Sequence, residues 1–185
     1  MIRINFFILF ALLTALSVSM ASDIDAQWER ARQLYYQALE NKEALTEAIE
    51  LFSYLVENSA RLGVAQTYLG SLTALKAQYT IWPQKKLKYA NEGLDIMDAG
   101  LQKNPDDLEA LFIHGTTSYF LPFFFNRRDD ANQSFKRIVE LLPKRLEEQD
   151  PEMTMHTLNF ILEKAELDEN ERRTAELLKR QLDIS

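Results

Sequence analysis

The side chains that most often perform acid–base or metal chemistry are scarce in this sequence of 185 residues. It has two histidines, His114 and His156, and no cysteine. Without cysteine, disulfide bonds, thiol nucleophiles and thiolate metal sites are excluded. His114 precedes Gly115 on an apolar helical stripe, where we expect a hydrogen-bonded core histidine. A role as ligand or base is the alternative.

Two pairs of adjacent aspartates, Asp106–Asp107 and Asp129–Asp130, are the other candidates for chemistry. Both pairs stand where apolar helical stripes begin, and negative charge in the first turn of a helix meets the positive end of its dipole. Capping therefore explains them better than Ca²⁺ binding or acid–base catalysis. The sequence also has no nucleophile–base signature, no glycine-rich phosphate loop and no metal-spaced cluster. We expect no enzymatic activity, no metal and no cofactor.

The charge balance disfavours nucleic acid as a partner. The formal net charge is −7, whereas binding to a phosphate backbone depends on lysines and arginines that neutralise phosphates. The exceptions are the cluster Lys85, Lys86 and Lys88 and the pair Arg127–Arg128, which we interpret as solvated helix ends.

The N-terminus has the pattern of a secretory signal peptide. Arg3 precedes an apolar run over residues 4–18, and small residues occupy the −3 and −1 positions before a cut after Ala21. An uncleaved membrane anchor is the alternative, but fifteen residues rise only about 22 Å as a helix, against a hydrocarbon core of roughly 30 Å. The sequence predicts a single mature domain over residues 22–185, periplasmic or secreted, without a stable membrane anchor.

After residue 23, apolar residues recur at steps of three and four, and the strict alternation of a half-buried strand is absent. The pattern predicts an all-α fold of about eight amphipathic helices. Pro83 should begin the fourth helix. Four further helix starts are predicted from capping patterns, at Asn104–Pro105, at Asp150–Pro151, at Asp168 with Glu171 and, more weakly, at Asn126 with Asp129.

Three of the helical stripes share a spacing of a small residue, a large apolar one four positions on and a small or apolar one three further. They are Ala48–Phe52–Leu55, Gly93–Met97–Gly100 and Ala131–Phe135–Ile138. Together with Trp28, Ala31 and Tyr35 on the first stripe, this spacing resembles the tetratricopeptide repeat. The resemblance covers residues 24–143, and a last hairpin over 151–182 is a degenerate repeat or a cap. The units lie 45 and 38 residues apart, against about 34 in the family, so the turns within the pairs must be enlarged.

The resemblance implies a stack of antiparallel helix hairpins with a concave groove lined by the first helix of each pair. None of the implied groove positions is lysine, arginine or asparagine, so a clamp for a terminal carboxylate is not expected and a neutral or mildly apolar ligand suits the lining better. By the family's register these positions are Glu29, Gln33, Tyr36, Thr67, Ser71, Ala74, Phe112, Thr116 and Tyr119.

The two enlarged turns, residues 79–86 and 119–126, are unusually apolar. The first contains Trp82, and the second contains Phe123, Phe124 and Phe125. These side chains either fold back to plug the end of the core or form an exposed patch that receives a partner. If both turns lie at the same edge, Trp82 and the phenylalanines form one surface.

These observations predict an exported, non-catalytic interaction module that binds a protein or peptide partner in the cell envelope. The main alternative is a periplasmic accessory protein of a transporter that binds a small apolar ligand. An envelope enzyme and a purely structural spacer are further alternatives.

Overall fold

The computed structural model describes residues 23–184, and α-helices dominate that range. The predicted all-α fold, built from antiparallel helix hairpins, is confirmed, while the predicted signal peptide lies outside the described residues. Among residues 23–184 no helix is long and apolar enough to cross a membrane. The eight described helices are α1 (23–38), α2 (Lys42–Asn58), α3 (Leu62–Leu75), α4 (Pro83–Lys103), α5 (Leu108–Phe120), α6 (Arg128–Leu141), α7 (Pro151–Lys164) and α8 (Glu169–Ile184), with short 3₁₀ turns at Phe123–Phe125, Leu142–Lys144 and Leu146–Glu148.

Two of the predicted helix starts have the expected capping geometry, and α4 begins at Pro83 as predicted. At the start of α7 the Met153 amide donates to Asp150 Oδ1 at 2.8 Å. Before α8 the Glu171 amide donates to Asp168 Oδ1, and the Asp168 amide donates to Glu171 Oε2, at 2.9 and 2.7 Å. The second arrangement is a reciprocal capping box, which satisfies two amides that the helix leaves unpaired.

Two other predicted starts are wrong. Asn104 ends α4, and a turn follows before Asp107 caps α5 by accepting from the Ala110 amide at 3.0 Å. Asn126 adopts the left-handed conformation (φ 53°) after the 3₁₀ turn, so it cannot take the extended conformation of a capping residue, and Arg127 precedes α6 without a side-chain cap.

The α3–α4 hairpin is the most closely packed pair. A Cβ atom on Gly70 would overlap the backbone of Met97, and one on Gly93 would overlap the backbone of Ala74. Gly63, near the start of α3, faces Asn104 at the end of α4, so the two helices are antiparallel. Only glycine allows backbones to approach this closely, which explains why both helices carry it here.

The first helices of the hairpins form a continuous inner layer. Tyr68 of α3 packs edge-on against Trp28 and Tyr35 of α1, with ring centroids 6.5 and 4.8 Å apart. Phe112 of α5 packs in the same way against Phe160 of α7, at 5.9 Å. Residues from α1, α3, α5 and α7 therefore meet along one side of the array, and this side carries the candidate site.

Candidate binding groove

Two adjoining cavities lie between α1, α3, α5 and α7. The first, of about 410 Å³, contains charged side chains and is called the polar lobe. The second, of about 520 Å³, has no charged residue in its lining and is called the apolar lobe. Both are lined by Tyr36, Phe112 and Ile113, so together they form one groove along the inner layer.

The apolar lobe combines aromatic and aliphatic walls with a small hydroxyl cluster. The Tyr35 hydroxyl lies 3.0 Å from Ser71 Oγ, which in turn lies 2.7 Å from Thr117 Oγ1. Burial raises the pKa of Tyr35, so its phenol is neutral at physiological pH. The lining consists of Tyr35, Tyr36, Leu39, Ser71, Ala74, Leu75, Gln78, Phe112, Ile113, Thr116, Thr117, Phe120, Leu121 and Phe160.

The polar lobe is organised by the carboxylate of Glu109 on α5. Arg32 of α1 donates to it through Nε at 2.6 Å and Nη2 at 3.0 Å, and Arg61 donates through Nη2 at 2.8 Å. The Tyr68 hydroxyl donates a further hydrogen bond at 2.8 Å. Burial alone would raise the pKa of Glu109, but these donors and positive charges hold it below its ordinary value.

Arg32 lines the polar lobe but is not among the groove positions predicted from the sequence, whereas Arg61 lines neither lobe. Arg32 lies one turn from Glu29 on α1 and pairs with it at 2.6 Å, whereas Arg61 lies in the loop before α3. Both guanidinium groups also lie close to the ring of Trp28, at 5.3 and 5.0 Å from its centroid. Because Glu109 already accepts from both arginines, a ligand carboxylate would have to compete with it for the Arg32 Nε and Nη2 donors and for Arg61 Nη2.

A contact between the first and the seventh helix crosses the groove where its lobes adjoin. The Tyr36 hydroxyl lies 3.8 Å from Met153 Sδ, and both side chains remain more than one-third exposed. The Tyr36 ring lines both lobes, while Met153 lines the polar lobe only. An occupant that fills both lobes must therefore pass beside this contact.

The structure brings six of the nine predicted groove positions to the lobes. Glu29 lines the polar lobe, Tyr36 and Phe112 line both lobes, and Ser71, Ala74 and Thr116 line the apolar lobe. The exposed residue Gln33 lines neither lobe.

The other two predicted positions point elsewhere. Thr67 is fully buried against α4, beside Gly100, and donates to the carbonyl of Gly63 at 2.9 Å. The prediction that Thr67 faces the groove is therefore wrong. Tyr119 packs against Phe160, and the Arg128 guanidinium lies 3.9 Å from the Tyr119 ring centroid.

The two apolar turns expose most of their large side chains. Trp82 is 59% exposed, Phe123 is 93% exposed and Phe124 is 60% exposed, whereas Phe125 is half-buried. A plug of the core is thus ruled out for Phe123 and Phe124. A 3₁₀ turn over Phe123–Phe125 separates them from the core, because the extended residues Leu121 and Pro122 carry the chain away from the end of α5.

His114 is a buried, hydrogen-bonded histidine, as predicted. Its Nδ1 lies 2.7 Å from Ser134 Oγ of α6, and its Nε2 lies 3.0 Å from Asp98 Oδ1 of α4. Arg127 donates to Asp98 Oδ2 at 2.9 Å, and its side chain is largely buried. The interpretation of Arg127 as a solvated helix end is therefore wrong, because the carboxylate of Asp98 draws it inward. We call these four residues the His114 network.

The His114 network contains the residue types of a hydrolytic triad, in an arrangement that favours a structural role. All four residues line a cavity of about 420 Å³, but Ser134 is only 3% exposed and the Asp98 carboxylate also pairs with the Arg127 guanidinium at 2.9 Å. Burial would raise the pKa of Asp98, but His114 and Arg127 hold it below its ordinary value. The network thus joins α4, α5 and α6. Among residues 23–184 no cluster of three or more His, Asp or Glu side chains could hold a metal ion.

The groove and the His114 network stand on geometry alone. No protein-family model matches the chain, and comparisons with curated proteins and with solved structures find no match.

Proposed function

We propose that the chain is an exported, non-catalytic interaction module of the tetratricopeptide type, whose groove holds a segment of a partner protein in the cell envelope. The observation that carries the proposal is the continuity of the two lobes across four inner helices, with Tyr36, Phe112 and Ile113 common to both. A groove that runs across four helices suits an extended segment better than a compact metabolite.

The lining favours a particular kind of segment. The apolar lobe has no charged lining residue, and its volume of about 520 Å³ suits large apolar side chains. The polar lobe is lined by the carboxylates of Glu29, Glu109 and Asp150 and by one arginine, Arg32. We therefore expect the partner to present a bulky apolar residue flanked by neutral or basic residues, since acidic ones would be repelled.

A small apolar ligand, delivered to a transporter, is the second candidate. It is favoured by the Tyr36–Met153 contact, which narrows the passage between the lobes. It is also favoured by the hydroxyl cluster of Tyr35, Ser71 and Thr117, which offers hydrogen bonds at the wall of the apolar lobe. Such a ligand would fill the apolar lobe only.

A pair of matched threonine variants tests both candidates. Thr116 lines the apolar lobe and donates to the carbonyl of Phe112, and Thr46 is exposed on α2 and donates likewise to the carbonyl of Lys42. Thr116→Trp should fill the lobe and abolish capture of the partner from envelope extracts, whereas Thr46→Trp should capture it like the wild type. Equal capture by all three proteins would place binding outside the groove.

Thermal unfolding in the presence of metabolites and lipids distinguishes a small apolar ligand from a protein partner. A ligand that binds only the folded protein raises the unfolding midpoint. For a ligand in the apolar lobe, the rise should vanish in Thr116→Trp and persist in Thr46→Trp. A specific peptide captured without any stabilising small molecule favours the interaction module.

A further inference from the structure

Exposed aromatic and aliphatic side chains are concentrated on the α3–α4 and α5–α6 connections of the array. The α3–α4 loop, residues 76–82, exposes Ile81 and Trp82. The α5–α6 loop, residues 121–127, exposes Phe123 and Phe124, and Phe120 is exposed immediately before it. Soluble domains seldom leave so many large apolar groups uncovered without a use.

Both loops leave the array at the same end. Leu75 and Gln78, where α3 ends, line the apolar lobe together with Phe120 and Leu121, where α5 ends. Leu39, just after α1, lines the same lobe and is exposed. Three successive hairpins therefore contribute to one apolar end, which consists of Leu39, Ile81, Trp82, Phe120, Phe123 and Phe124.

The tips of this apolar end are not held by the core. Among the described residues, the Trp82 indole has neither a ring contact nor a hydrogen bond through its N–H group. Within the same range, the ring of Phe123 contacts only that of Phe124, with centroids 5.9 Å apart. More than half of each side chain is exposed, so both contribute little to the free energy of unfolding and are accessible to a membrane or a partner.

Positive charge accompanies the Trp82 side of the apolar end. Residues 76–91 contain four lysines and no acidic residue, in a chain whose net charge is −7. Lys85, Lys86 and Lys88 are exposed in the first turns of α4, directly after Trp82. The α5–α6 side is closer to neutral, because Asp129 and Asp130 follow Arg127 and Arg128.

Acidic residues follow Leu39 as well as Arg128. Glu40 and Glu43 are exposed after Leu39, so the basic side chains of the apolar end are those that accompany Trp82 at the start of α4. Tryptophan prefers the boundary between lipid and water, and lysines beside it are attracted to anionic headgroups. An exposed tryptophan beside several lysines therefore matches the surface of an anionic bilayer.

We propose that the apolar end is a peripheral membrane-docking surface. Trp82, Phe123 and Phe124 enter the interfacial region of a bilayer that contains anionic lipids, and the lysines of the first turns of α4 contact lipid phosphates. Burial of the loop tips and attraction of the lysines act together, as they do in other interfacial segments. Docking is reversible and requires no spanning helix, and its loop tips Trp82, Phe123 and Phe124 lie outside the lining of the apolar lobe.

Tryptophan fluorescence of the full chain tests the proposal at the site itself. The chain has two tryptophans, and Trp28 is buried. Phosphatidylglycerol vesicles that contain brominated phosphatidylcholine should quench the exposed Trp82, and the quenched component should be absent from Trp82→Phe. Replacing Phe123 and Phe124 by serine keeps both Trp82 and the apolar N-terminal segment, so a loss of quenching in that variant assigns docking to the loop tips and not to the segment. Failure of the brominated vesicles to quench Trp82 overturns the proposal.

Variants of the two components then measure vesicle partition. Replacing Phe123 and Phe124 by serine should weaken partition about tenfold per ring. Replacing Lys85, Lys86 and Lys88 by glutamine should weaken it about 100-fold at low salt, with a reduced dependence on ionic strength.

Leu177→Ser, which alters an exposed residue of α8, is the matched control and should bind as the wild type does. All these side chains are exposed, so the unfolding midpoint should be unchanged in each variant. Equal partition of wild type and the double serine variant overturns the insertion of the loop tips. Equal partition of the wild type into phosphatidylcholine and phosphatidylglycerol vesicles overturns the role of the lysines.

Discussion

Arg32 of α1 donates two hydrogen bonds to the carboxylate of Glu109 of α5, although the two residues lie 77 positions apart in the sequence. Arg61 and Tyr68 complete the shell of the same carboxylate. The Glu109 carboxylate therefore links the first three hairpins at the wall of the polar lobe. Its partial burial makes this network an internal support of the groove.

Glu109→Gln should destabilise the protein by about 1–3 kcal/mol, because it removes the carboxylate that two partly buried arginines share and leaves them only Glu29 and Asp107 as counter-ions. Glu29→Gln is the matched control. Glu29 also accepts from Arg32, at 2.6 Å, but its side chain is 70% exposed. An exposed pair of this kind contributes less than about 1 kcal/mol. Denaturant unfolding of the three proteins measures the difference, and equal losses in the two variants would contradict the proposed role of Glu109.

The same carboxylate should make stability depend on pH. Its pKa in the folded protein is below the ordinary value of 4.5, so on acidification the unfolded chain takes up a proton there before the folded protein does. The stabilisation is fully present above about pH 5 and is lost as the pH falls through the folded pKa. Unfolding free energies from pH 7 to pH 3 should therefore fall more steeply for the wild type than for Glu109→Gln. Parallel curves would show that Glu109 is not the responsible group.

The helices were predictable because each has a clear local signal, but the choice between neighbouring caps was not. Asn104 and Asp107 are both good capping residues, and the sequence pattern does not say which one begins α5. In the folded protein Arg145 donates to the carbonyl of Asp106 at 2.7 Å, and Arg137 pairs with the carboxylate of Asp106 at 2.6 Å. These partners hold the turn before Asp107, and they lie 31 and 39 residues beyond Asp106 in the sequence.

The groove was predicted only in part, for two physical reasons. α3 is buried on nearly all sides, so its apolar pattern lacks the contrast that tells a groove face from a packing face. The sequence pattern therefore predicts the wrong face for Thr67. The link between Arg32 and Glu109 is a tertiary contact between distant residues, which no local spacing encodes.

Gly70→Ala and Gly93→Ala test the close approach of α3 and α4. In an unconstrained helix, alanine in place of glycine stabilises by about 1 kcal/mol. Here the new methyl group would overlap the backbone of the opposite helix, so we expect a loss of about 2 kcal/mol or more. The sign of the change in unfolding free energy of each variant tests the close approach of the two helices. A stabilising effect of alanine would show that α3 and α4 are further apart.

The His114 network provides the last prediction. Asp98→Asn should lower the unfolding free energy by about 1–3 kcal/mol, because the neutral amide weakens charge-assisted bonds from Arg127 and from His114. Asp95→Asn, an exposed change on the same helix and three residues earlier, is the matched control and should have little effect. If the network is structural, Asp98→Asn should also leave partner capture by the folded protein unchanged, since the groove lies between other faces of the helices. Loss of capture without loss of stability would instead assign Asp98 to binding.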